Sequence, residues 1–97
     1  MQFPSSSLLV LLKFARGQTE LTPEVFDAGL EVLKYIYSVV VSKLDVKTAS
    51  APNGNVTELL EEVLDYEKSE AKGFNPTIWI TIGLWVLEKV LTKVLKD

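Results

Sequence analysis

Apolar positions recur at steps of three and four along most of this chain, and capping residues, proline or glycine stand where the recurrence breaks. That is the period of amphipathic helices rather than of strands. The pattern predicts helices over about residues 5–16, 23–44, 56–72 and 76–96, with one loop at 46–55. The expected fold is all-α, a small helical bundle of three long helices plus one short N-terminal helix. Only two or three residues separate the third and fourth helices, which predicts an antiparallel hairpin between them.

Local punctuation supports these limits. Ser5, Ser6 and Ser7 offer N-caps to a first helix whose apolar part starts at Leu8, and Gly17 can close it. Thr22-Pro23-Glu24 is a helix start with a capping hydroxyl, a proline at the first helical position and an acid in the first turn. Pro52, Asn53 and Gly54 mark a turn, and Asn55 with Glu58 is a variant of the capping box. Gly73 closes the third helix, and Asn75-Pro76 repeats the cap-plus-proline start. Tyr35, Ile36, Tyr37, Val39, Val40 and Val41 alone read as a strand, but the helical period on both sides carries the second helix through them.

Two helices carry more apolar surface than one core stripe needs. In the second, Phe26, Leu30, Leu33, Tyr37, Val40 and Leu44 form a heptad-like stripe, flanked by Val25, Gly29, Val32, Ile36 and Val39. In the fourth, Ile80, Leu84, Leu87, Leu91 and Val94 form the expected core stripe, widened by Trp79, Gly83, Val86 and Val90. Ile78, Ile82 and Trp85 lie in the middle of the remaining arc as a surplus stripe. A helix apolar all round is buried all round or lies in lipid. The first helix, itself rich in Leu8, Leu9, Val10, Leu11, Leu12 and Phe14, is one candidate cover for that stripe; a second copy and a membrane surface are the others. Gly29 and Gly83 sit mid-helix on apolar sides, where glycine costs roughly 1 kcal/mol relative to alanine. A close crossing of the second and fourth helices, within or between chains, would account for both. The interface candidates are therefore Ile78, Ile82, Trp85, Gly29, Gly83 and Trp79.

Charge adds a register. Residues 56–74 carry Glu58, Glu61, Glu62, Asp65, Glu67 and Glu70 against Lys68 and Lys72, a net of −4 from six acids and two lysines. Residues 75–97 carry Glu88 and Asp97 against Lys89, Lys93 and Lys96, a net of +1. An antiparallel hairpin would set Glu58, Glu61 or Glu62 near Lys89, Lys93 or Lys96. The whole chain of 97 residues has net charge −3, with no cluster of basic residues to neutralise phosphates, so no nucleic-acid partner is expected.

Candidate chemistry is sparse. The chain has no cysteine and no histidine, which removes disulfides, thiolate and imidazole nucleophiles and soft metal ligands. Glu58, Glu61, Glu62 and Asp65 share a helix face and could attract a hard cation, although a solvated face opposite an apolar stripe is the simpler reading. Asp45, Lys47 and Asn53 lack the spacing of a calcium loop. No catalytic residues, cofactor or metal ligands are assigned. The start, Met1-Gln2-Phe3-Pro4, lacks the basic region of a signal peptide, and no apolar run reaches the ~20 residues of a spanning helix, so a cytoplasmic location is expected. The expectation is a non-enzymatic structural, assembly or adaptor protein that pairs with its own copies or with another helical protein. A membrane-associated helper anchored by the first and fourth helices is the first alternative. An acidic module binding a divalent cation is the second. An open, two-layer arrangement closed by oligomerisation would suit the surplus stripes.

Overall fold

The computed structural model describes residues 2–43, 55–69 and 76–96. Those residues form α1 (Ser5–Ala15), α2 (Pro23–Tyr35), α3 (Val56–Ser69) and α4 (Pro76–Lys96), with no strand among them. A π-helical stretch, Ile36–Val40, and a short 3-10 turn, Val41–Lys43, continue α2. The strand-like run at 35–41 is therefore helical, but with a widened turn. The turn at Pro52, Asn53 and Gly54, the closure at Gly73, the cap at Asn75 and the expected core position of Leu44 lie outside the described residues.

Caps explain where the helices start and stop. Thr22 Oγ1 accepts a hydrogen bond from the Val25 backbone N–H at 3.3 Å, and Pro23 occupies the first helical position. At α3, Asn55 Oδ1 accepts from the Thr57 N–H at 2.7 Å. Gly17 ends α1 with φ of 74°. Its N–H donates to the Phe14 carbonyl and the Gln18 N–H to the Lys13 carbonyl, at 3.0 and 2.9 Å, which is the paired bonding of a Schellman motif. One cap differs from expectation. Ser5, Ser6 and Ser7 lie inside the first turn of α1, Pro4 takes the N-cap position, and no side chain caps the helix. Pro4 has no N–H and fixes its own φ, so the chain is already turned into the helix before the serines begin.

α1 packs on α2 and α3, and α4 packs on α2, α3 and the π-helical turn. The core contains Leu8, Leu11 and Leu12 of α1, Val25, Val32, Tyr35, Ile36 and Val40 of α2 and its continuation, Leu59, Leu60, Val63 and Leu64 of α3, and Ile78, Trp79, Ile82 and Val86 of α4. No charged or polar side chain is buried among the described residues. The radius of gyration, 13.1 Å, is close to the roughly 12.5 Å of a compact chain this long.

Candidate functional site

The apolar surface left open is not the one the period pointed to. Leu84, Leu87, Leu91 and Val94, the expected core stripe of α4, are 43–58% exposed, and Leu95 is 84% exposed. The surplus stripe is inside: Ile78 and Ile82 are buried, and Trp85 is half-buried against Phe14 of α1, ring centroids 5.8 Å apart. Its cover is therefore a helix of the same chain. In α2 the same exchange occurs. Val25, Gly29, Val32 and Ile36 are buried, Phe26, Leu30 and Leu33 are half-buried, and Tyr37 is 78% exposed.

Both differences are one rotation. The inward stripes, 25-29-32-36 in α2 and its continuation and 79-83-86-90 in α4, with Val90 only half-buried, each stand one residue before the stripe with the heptad spacing. One residue is about 100° of turn. Glycine supplies the cause. A Cβ at Gly29 would stand 3.0 Å from Val86 Cγ1, and one at Gly83 would stand 3.0 Å from Ile36 Cδ1. Each helix thus lays a glycine against a branched residue of the other, so that a side chain at either glycine would require its neighbour to give.

Contacts along α2 ascend as those along α4 descend. Phe26 lies under Lys93 Nζ, 6.0 Å from the ring centre, Gly29 meets Val86 and Val90, Gly83 meets Leu33 and Ile36, and Tyr35 meets Trp79 with ring centroids 5.0 Å apart. For helices running in opposite senses, equal rotations turn both leucine-rich stripes to the same side of the contact. The outcome is one apolar face shared by two helices. Leu30, Leu33 and Tyr37 form one half, and Ile80, Leu84, Leu87, Leu91 and Val94 the other. The period found this stripe correctly; nothing in the period distinguished an inward from an outward use of it.

The six interface candidates are thus accounted for within one chain. Gly29 and Gly83 lie at the α2–α4 contact, and Ile78 and Ile82 are core residues. Trp79, 3% exposed, closes an aromatic cluster with Tyr35 and Phe3, and Trp85 meets Phe14. The expected charge register also changes. Glu61 pairs with Arg16 of α1, and Lys93 stands over Phe26. Among the described residues no ion pair joins α3 to Lys89 or Lys93, and Arg16 at the end of α1 reaches Glu61 across the surface.

The apolar hollow between α1, α2 and α4, lined by Phe14, Phe26, Trp85 and Val90, has about 10 Å3 of free space, at most one water. Among the described residues no three acidic side chains group closely enough to hold a cation. Among them, too, no helix is long and apolar enough to cross a membrane. No protein-family model matches the chain, and no curated protein or solved structure matches it.

Proposed function

We propose that this is a non-enzymatic helical assembly or adaptor protein that works by offering the outer face of α4 and the adjoining flank of α2 to another protein. In this reading the four helices form a closed bundle with α3 and α4 as an antiparallel hairpin. The observation that carries it is the open stripe Leu84, Leu87, Leu91 and Val94 along α4. Scattered exposed leucines are ordinary; a contiguous stripe along three turns of one helix is a mark of an interaction site. Its 4-3-4-3 spacing from Ile80 to Val94 is the one that lets a second helix interlock with it, knobs into holes.

Paired charge substitutions test this directly. Leu87→Glu is expected to keep the far-UV helical signal and melt cooperatively, because its side chain does not serve the core. Ile82→Glu, at a position with no exposure, is expected to abolish folding. Loss of folding in Leu87→Glu would show that the stripe holds the chain together and is not a free surface.

A further inference from the structure

We propose that the occupant of this face is a second copy of the same chain, docked as a two-fold dimer through α4 and the flank of α2. The proposal rests on the reading of the face as an interaction surface and adds the partner to it.

Area is the first argument. Leu84, Leu87, Leu91, Val94 and Leu95, with Tyr37 of the α2 side, are between 43 and 84% exposed. Together they present on the order of 700 Å2, above the roughly 300–600 Å2 of the largest apolar patch on an ordinary monomer. It is close to the about 800 Å2 that each partner contributes to a stable interface of standard size. One copy of the face is enough for one such interface, with little left over.

Charge is the second argument. The contact positions Leu84, Leu87, Leu91 and Val94 are all apolar, so a second copy docking on them desolvates no ion at the centre of the contact. Around it stand groups of both signs: Glu88 on α4, and Asp27 and Lys34 on α2. A mixed rim around an apolar centre is how protein interfaces are built. It is a poor match to an anionic bilayer, which attracts a face ringed by lysine and arginine. Two-fold pairing uses the same patch on both subunits and closes on itself, as the limited area requires.

Light scattering over a dilution series of the full chain is the test. The wild type is expected to move from the 10.8 kDa monomer towards twice that mass as concentration rises. Leu87→Glu/Leu91→Glu, checked for unchanged helical circular dichroism, is expected to raise the dissociation constant at least about 100-fold. If the double variant loses helicity, Leu91→Gln alone replaces it, with an expected rise of about tenfold. A wild type that stays at 10.8 kDa at every concentration overturns the dimer but not the interaction surface, which is judged separately by the folding of Leu87→Glu. A dimer that both variants leave unchanged overturns the assignment to this face. Monomeric wild type that floats with phosphatidylglycerol–phosphatidylcholine vesicles, while Leu87→Glu/Leu91→Glu does not, overturns it in favour of a lipid surface.

Discussion

Alanine at Gly29 and alanine at Gly83 are expected to have opposite effects, although each new Cβ meets a neighbour at the same 3.0 Å. Replacing a mid-helix glycine by alanine gains about 1 kcal/mol of helix propensity at either site. The steric terms differ. At Gly83 the close atom is Ile36 Cδ1, the free end of a side chain that can turn about its last torsion, and the next neighbours lie at 3.8 and 3.9 Å. At Gly29 the close atom is Val86 Cγ1, attached directly to Cβ on a residue only 2% exposed. A helical valine is held to essentially one rotamer, so relief at Gly29 means moving α4 itself. Overpacking of that kind costs about 1–3 kcal/mol. Gly83→Ala is thus expected to be about 1 kcal/mol more stable, and Gly29→Ala neutral to about 2 kcal/mol less stable, a gap of at least about 1 kcal/mol. For a domain of this size the two melting temperatures should differ by about 4–8 °C for each kcal/mol between them. Urea and thermal unfolding followed by far-UV circular dichroism at one fixed concentration reads the difference. A Gly29→Ala protein as stable as Gly83→Ala would mean that the tight contact between Gly29 and Val86 does not exist.

Three further outcomes follow from other parts of the fold. Gly17→Ala meets no atom within 4 Å, yet φ of 74° is a conformation that costs an L-residue roughly 1–2 kcal/mol, so the variant should melt lower despite the open space. Trp79→Ala should cost about 3–5 kcal/mol, and Trp85→Ala, half-buried against Phe14, distinctly less; equal losses in denaturant unfolding would contradict their placement. A double-mutant cycle on Arg16 and Glu61 should give a coupling below about 1 kcal/mol that shrinks as salt is added, since both side chains are substantially exposed; a larger, salt-independent coupling would mean a buried pair.

The all-helical class was legible because its signals are local. Thr22-Pro23, Asn55 and Gly17 each act through bonds to backbone groups a few residues away. The sides of the helices were not legible, because both stripes of α2 and both of α4 are apolar and nearly equal in period. What distinguishes them is the fit of Gly29 to Val86 and of Gly83 to Ile36, a property of two helices together. The glycines were readable as a place of close crossing; their consequence, that the leucine stripes turn outward, needed the partner helix. Ion pairing failed for a related reason. The register of Glu61 depended on which helix lies beside it, and α1 is the one it reaches. The widened turn at Ile36–Val40 left no signal beyond a run of β-branched residues. It spaces the buried residues Tyr35 and Val40 five apart, so the heptad stripe could not continue from Tyr37 to Val40 in phase.

Carbene footprinting read by mass spectrometry, at low and high protein concentration, bears most directly on the outward α4 face and its occupant. The account predicts strong labelling of Leu84, Leu87, Leu91, Val94 and Leu95 in dilute solution, little at Ile78, Ile82 and Val86, and a fall at the first group alone as concentration rises. Labelling of Ile78 and Ile82 in place of Leu84 and Leu91, or labelling of the stripe that does not change with concentration, would contradict it.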